Sequence, residues 1–388
     1  MNELPTSLEN FKIVPTDEGI MNKPLTSLDN YRLLGNSGLR VSPMCLGTMT
    51  FGEDWGWGAD FETSQQIFNT YADRGGNFID TANMYTNGSS EEFLGKMLQG
   101  KRDEFVLATK YSSTMNPKNP NSGGNHRRSM VRAVEGSLKR LNTDYIDLYW
   151  LHVWDYRNSI EEVLRALDDL VRQGKILHIG FSDTPSWVVS EGQAIAKLAE
   201  GIARLRGWTP ISAIQVHYNL VERTSETDLI PMAQHHDITP LAWSPLAGGV
   251  LAGKYSMSDL EEDKNGDGNG SGRKEMSQSM GQLNERSIKI GEKVKEIAQE
   301  IGRSPSQVSL NWLLQQPGGT IPIVGARKLS HVEDNLQAVD FTLTSEQIER
   351  LNEASDYKQP FPYNFATPQL IDSVIDGETE VEEALVKQ

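Results

Sequence analysis

An α/β chain that closes into an eight-stranded barrel is the fold class this sequence predicts, on three observations. Short apolar runs alternate with helical patterns from residue 41 onward; the runs number eight; and most are rich in Ile, Leu and Val, as strands covered on both faces must be. Strands alternating with helices imply a parallel sheet. Eight such units point to a (β/α)8 or TIM barrel, with parallel strands inside and helices outside. An open doubly wound sheet is the alternative that the count leaves standing.

The strand expectations are 41–47, 77–81, 105–110, 145–152, 176–182, 211–218, 238–244 and 321–325. Helices are expected between them. In 64–72, Ile67, Tyr71 and Ala72 share a face, and in 129–141 Val131, Val134, Leu138 and Leu141 form a stripe. In 160–171 the stripe is Val163, Leu164, Leu167 and Leu170. Ser304-Pro305 ahead of Val308, Leu310, Trp312 and Leu313 has a cap and a first-turn proline. Thr344 and Gln347 have capping-box spacing.

Ahead of the barrel, residues 1–30 are expected to be an extension, with 31–388 forming the barrel domain and its C-terminal tail. A short echo links Thr6-Ser7-Leu8-Glu9-Asn10-Phe11-Lys12-Ile13-Val14 to Thr26-Ser27-Leu28-Asp29-Asn30-Tyr31-Arg32-Leu33-Leu34, and two copies are too few for a repeat architecture. The second copy is expected to form a β-hairpin with Val41-Ser42-Pro43-Met44-Cys45. Two polar segments, 111–126 and 257–281, are expected as long loops on the rim where a barrel does its chemistry.

Composition narrows the function. Of the 388 residues, 37% are hydrophobic and 23% charged, which suits a globular chain. The net charge of −16 repels phosphate backbones, so nucleic acid is not an expected partner. Cys45 is the only cysteine; it rules out an internal disulfide, argues against a cysteine-ligated zinc, and no metal is expected. The opening Met-Asn-Glu-Leu-Pro lacks the order of a signal peptide, and no apolar run reaches the ~18–20 residues of a membrane span. A cytoplasmic location is the expectation, and the oligomeric state is not legible.

In barrels of this kind the ends of the strands carry the chemistry. Here they offer Asp80 with nearby Tyr85, then Lys110, then His152. Any one of these is ordinarily an ion pair or a hydrogen-bonded structural residue; consecutive strand ends could bring all of them to one pocket.

With its flanking motifs this set resembles the aldo-keto reductase superfamily, over roughly residues 32–355. The resemblance is carried by Gly47-Thr48-Met49-Thr50-Phe51-Gly52, Asp80-Thr81-Ala82-Asn83-Met84-Tyr85, Thr109-Lys110, the run from Leu141 to His152, Gly180-Phe181-Ser182, Gln215-Val216-His217-Tyr218-Asn219, Ser244-Pro245-Leu246 and Val324-Gly325-Ala326-Arg327-Lys328. The resemblance implies hydride transfer between a nicotinamide dinucleotide and a small carbonyl substrate. Tyr85 would be the general acid, Lys110 and Asp80 its electrostatic support, and His152 the hydrogen-bond donor to the carbonyl oxygen.

The same resemblance places the cofactor on Thr48, Met49, Asp80, Ser182, Asp183, Gln215, Trp243, Ser244, Leu246, Gly248, Lys254, Gly325, Arg327, Lys328, His331, Asp334 and Asn335. NADPH is favoured because Arg327 and Lys328 are adjacent cations; NADH is possible. The chain departs from the family pattern in carrying Asp183 where an amide is common, and His331 where an arginine often meets the adenine ribose. Trp55, Trp57 and Trp154 follow the first and fourth strands and are read either as loop packing or as a wall for the substrate.

Two motifs are set aside. The stretch from Asp263 to Gly268 resembles the start of a calcium loop, but its twelfth position is Lys274 where a bidentate Glu is needed. The glycines at 266, 268 and 270 follow no strand and are too closely spaced for a dinucleotide fingerprint. The leading expectation is therefore an NADPH-dependent aldehyde or ketone reductase. Two alternatives are a nicotinamide-binding regulatory subunit, as in the potassium-channel β subunits that resemble these enzymes, and an NAD-dependent sugar or alcohol dehydrogenase.

Overall fold

The computed structural model describes residues 27–202, 207–264, 278, 280–367, 370 and 373–374. The first copy of the echo and most of the calcium-loop-like stretch lie outside these residues.

Ten strands are present among the described residues. β1 (Arg32–Leu33) and β2 (Arg40–Val41) form an antiparallel hairpin with Arg32 opposite Val41. The other eight are β3 (Cys45–Gly47), β4 (Phe78–Asp80), β5 (Val106–Tyr111), β6 (Ile146–Leu151), β7 (Ile176–Ser182), β8 (Ile211–His217), β9 (Thr239–Trp243) and β10 (Ile321–Gly325). They pair in parallel as a closed barrel, β10 returning to β3. The predicted class is therefore the observed one, and the open sheet is excluded.

The expected strand over 41–47 is divided between β2 and β3. Pro43 has no N–H to give a ladder, and the Ser42 N–H is taken by the Asn77 side chain at 2.8 Å. The hairpin forms accordingly from residues 32–33 and 40–41 and does not extend to Cys45.

Alternation along the strands separates two cores. Outward residues such as Ile79, Leu107, Tyr149 and Leu151 pack under the helices, while Phe78, Val106, Ala108, Leu148, Trp150 and Leu241 fill the barrel. Leu34 and Val41 of the hairpin region join that inner core. Trp150 needs a small neighbour: a Cβ at Gly180 would lie 2.4 Å from its ring.

The expected helices are found, slightly extended, over Phe61–Asp73, Arg127–Leu141, Ile160–Arg172, Pro305–Leu314 and Ser345–Ala354. The caps at Ser304 and Thr344 both form reciprocal capping boxes. Helices over Ser89–Met97, Ser186–Ile202, Leu229–His235 and Glu285–Glu300 also fall between expected strands, but the sequence patterns did not assign their bounds. The first has a polar sequence and packs through Gly95, where a Cβ would meet the Arg140 carbonyl at 2.5 Å. The loop expected over 257–281 opens with a helix, Met257–Lys264. Among the described residues no helix is long and apolar enough to cross a membrane.

Candidate active site

Barrel parity explains which side chains meet. Phe78, Ala108 and Trp150 point into the barrel, so two residues further along each chain Asp80, Lys110 and His152 lie on the same side, at the strands' C-terminal ends. β4 pairs Asp80 with Ala108, and β5 pairs Lys110 with Trp150. These side chains form the uppermost layer of the barrel interior.

Lys110 is fully buried and its ammonium has three partners: the Asp80 carboxylate, the Thr81 carbonyl at 2.9 Å and the Tyr85 hydroxyl at 3.1 Å. The other Asp80 oxygen accepts from Gln215 Nε2 at 3.1 Å. Tyr85 stands on a short 3-10 turn that reverses through Thr86 and Asn87, at φ of 44° and 56°. Thr86 holds that turn by donating to the Phe51 carbonyl at 2.6 Å. The strained turn, rather than a strand, aims the phenol inward.

His152 is held by its backbone, whose N–H is shared between the Tyr111 carbonyl at 3.1 Å and Ser112 Oγ at 3.2 Å. Its ring meets Tyr85 edge to face at 6.0 Å, and its buried Nδ1 has no protein partner. Trp55 approaches Tyr85 from another side, at 6.4 Å and 80°.

The electrostatics follow from burial. The Asp80 carboxyl is pushed up by desolvation, against the pull of Lys110. Desolvation alone would lower the Lys110 ammonium, but Asp80 and Tyr85 outweigh it and the net shift is upward. Desolvation also raises the Tyr85 phenol, and the nearby ammonium offsets this only in part. His152 falls to about 3, through desolvation and then through Lys110. The site at neutral pH therefore holds an ion pair, a protonated phenol and a neutral imidazole.

These groups open into a cavity of about 370 Å³. It is also lined by Thr48, Met49, Trp55, Ser182, Asp183, Gln215, Trp243, Ser244, Gly248 and Gly325. A second cavity, of about 330 Å³, is lined by Leu246, Lys254, Arg327, His331, Asp334 and Asn335, and shares Gly248 and Gly325 with the first. Most of the expected cofactor positions thus line these two adjoining cavities.

Three expected residues do not. Lys328 caps the helix over Leu329–Asn335 with its side chain exposed and lines neither cavity. Trp57 packs against Trp55, ring centres 5.6 Å apart, one layer back from the cavity. Trp154 is 6% exposed and packs in the apolar core. Asp334 lines the second cavity, but its carboxylate is already engaged by Ser304 Oγ and Gln307 Nε2, each at 2.8 Å.

Some lining residues were not anticipated. Met280 and Gln282 come from the end of the long polar segment, and Gln282 is buried, 2.8 Å from His217 Nε2 and 3.1 Å from Ser244 Oγ. His217 stacks on Trp243, with centres 4.1 Å apart and planes within 8°. The two are register partners on β8 and β9, but no sequence pattern pairs strand ends.

The chemistry of the lining suits a dinucleotide. One end presents backbone at Gly248 and Gly249 and the cations Lys254 and Arg327, which suits phosphates. The other end carries a flat indole beside the phenol and imidazole, which suits a ring.

Taken together, a parallel barrel carrying a carboxylate, an ammonium, a phenol and an imidazole at one rim, adjoining an anion-ready cavity, defines a carbonyl–alcohol oxidoreductase architecture. Comparison gives the family: the model of the Aldo/keto reductase family matches residues 43–356, and the chain belongs to that family. It is 38% identical over 358 residues to the NADP(+) aryl-alcohol dehydrogenase of Phanerodontia chrysosporium, covering 88% of this chain and 90% of that one. It is 36% identical over 354 residues to the norsolorinic acid reductase of Aspergillus flavus, covering 88% and 85%. A putative aryl-alcohol dehydrogenase of Saccharomyces cerevisiae is 36% identical over 355 residues, covering 88% and 90%. The family supports carbonyl reduction in general.

Proposed function

We propose that this protein is an NADPH-dependent reductase of aromatic aldehydes or ketones, with Tyr85 as the proton donor. The observation that carries this is the unbroken contact from Asp80 through Lys110 to the Tyr85 hydroxyl, beside His152, at the floor of a ring-lined cavity.

When bound, the nicotinamide cofactor would supply the hydride for carbonyl reduction. Tyr85 gives its proton to the carbonyl oxygen, and the Lys110 ammonium stabilises the phenolate left behind. Asp80 holds Lys110 charged and in place, and Gln215 holds Asp80. His152, neutral at physiological pH, can donate a hydrogen bond to the carbonyl oxygen without competing as the acid. Trp243, with one face covered by His217, leaves its other face for the nicotinamide. Arg327 and Lys254 provide the charge that favours a 2′-phosphate.

Aromatic substrates are favoured by Trp55, Met49, Met84 and Met280, which make an apolar wall opposite the polar floor. The names of the aryl-alcohol dehydrogenase relatives agree with this. The test is a panel of benzaldehydes and aliphatic aldehydes assayed with NADPH, using wild type and Tyr85→Phe. Aromatic carbonyls are expected to be turned over best. The variant should bind NADPH normally and lose at least about a thousandfold in kcat. Tight cofactor binding without turnover of any carbonyl would point instead to a regulatory nicotinamide-binding subunit.

A further inference from the structure

Asp183 is the one charged group of the cavity that the scheme above does not use. It follows β7 in a left-handed conformation, with φ of 40°. Its backbone is fixed on both sides: its N–H donates to the Gln215 carbonyl at 3.2 Å, and its carbonyl accepts from the Trp154 N–H at 3.3 Å. Its Oδ1 accepts from the Trp243 indole N–H at 3.0 Å, so the carboxylate stands at the edge of the ring that floors this part of the cavity. Asp183 is open to the cavity itself, and Oδ2 is left for whatever enters.

The charge count around it decides its role. Lys110 and Asp80 cancel as a contact pair. Tyr85 is held protonated by burial, and His152 is neutral. His217, behind Trp243, is likewise lowered by burial, so no imidazolium opposes Asp183 from that side. Among the described residues Asp183 makes no ion pair; it stands open to the cavity, and its carboxyl is raised on balance by desolvation, against the pull of the Trp243 hydrogen bond and the more distant Lys110. The cavity thus carries one uncompensated negative charge beside the indole.

The hydride donor and the Tyr85 proton must reach the same carbonyl, so the reacting ring of the cofactor occupies this cavity. That ring is neutral when reduced and cationic when oxidised. We infer that Asp183 is the counter-charge of the oxidised nicotinamide ring, so that this site binds NADP+ more tightly than an uncharged lining would and favours departure of the hydride. The inference rests on the reductase reading and deepens it. A carboxylate differs here from the amide of the same shape only in charge, because both can accept from Trp243.

Asp183→Asn in the full chain tests it, since Asn tolerates the left-handed backbone and keeps the acceptor for Trp243. Dissociation constants for NADP+ and NADPH are measured separately by quenching of tryptophan fluorescence. Removing one charge from the surroundings of a cation is expected to weaken NADP+ about tenfold and leave NADPH within about twofold. The midpoint potential of the bound couple should rise by about 30 mV, as a tenfold change requires for two electrons. Asp183→Ala should show the same ratio even if both affinities drop with the lost hydrogen bond. An unchanged ratio in both variants, whether the affinities hold or fall in parallel, overturns the inference. If wild type binds neither nucleotide, it is the reductase reading that fails.

Discussion

At the residue scale the site is governed by one buried ion pair and a phenol leaning on it. Lys110→Met would leave Asp80 as an uncompensated buried carboxylate. The expected result is loss of activity together with a destabilisation of ~3–5 kcal/mol, read by denaturant unfolding. Adding Asp80→Asn should restore much of the stability and none of the turnover.

The raised Tyr85 pKa has a definite sign. The phenol stays protonated through neutral pH, so carbonyl reduction should be flat there and fall only as pH climbs through a value above the ordinary ~10 of a phenol. Alcohol oxidation needs the phenolate and should instead rise with pH over the whole neutral-to-alkaline range. His152, at about 3, should add no limb near its usual 6.5. Steady-state rates in both directions, scanned from about pH 5 to above pH 10, check all three; an acid limb near pH 6.5 that disappears in His152→Gln would contradict the neutral imidazole.

At the scale of elements, strand alternation and helix capping account for most of what the chain does. The inward parity of Phe78-Asp80, Ala108-Lys110 and Trp150-His152 is readable along each strand, because side chains alternate with a period of two. The closeness of Trp150 to Gly180 is not readable, since it depends on register between β6 and β7. Gly180→Ala should force the indole aside and cost ~1–3 kcal/mol in unfolding free energy, with a fall in kcat as the displaced ring disturbs the layer above it. The helix over Ser89–Met97, whose bounds the hydrophobic pattern did not assign, has a related cause. Its Glu91 is fully buried and held by Thr109 and Arg140, each at 2.6 Å, so its polar sequence is satisfied by partners far along the chain. Its hydrophobic pattern alone gives no reason to expect a helix there.

At the scale of the whole molecule, an acidic protein concentrates its useful positive charge in a few places. The net charge is −16, yet the second cavity carries Lys254 and Arg327. Arg327→Ala is expected to weaken NADPH by about tenfold or more and NADH by much less, because a guanidinium pairs strongly with a phosphate monoester. Titration with both nucleotides measures it, and equal losses would remove Arg327 from 2′-phosphate recognition.

What the sequence by itself determined is the part set by local rules. Eight buried strand patterns, the caps at Ser304 and Thr344, and the chemical types at the ends of β4, β5 and β6 are all written in residue spacing. Tertiary structure alone decided which of several plausible rings meet the cavity. It sent Trp154 into the core, set Trp57 behind Trp55, turned Lys328 outward and brought Gln282, from the end of a long polar segment, against His217. It also stacked His217 on Trp243 and left Asp183 with its charge uncompensated. The physical reason is that spacing along a chain fixes the face a side chain takes, whereas its neighbours and their charge depend on pairing between strands and on how loops return, which no local pattern encodes.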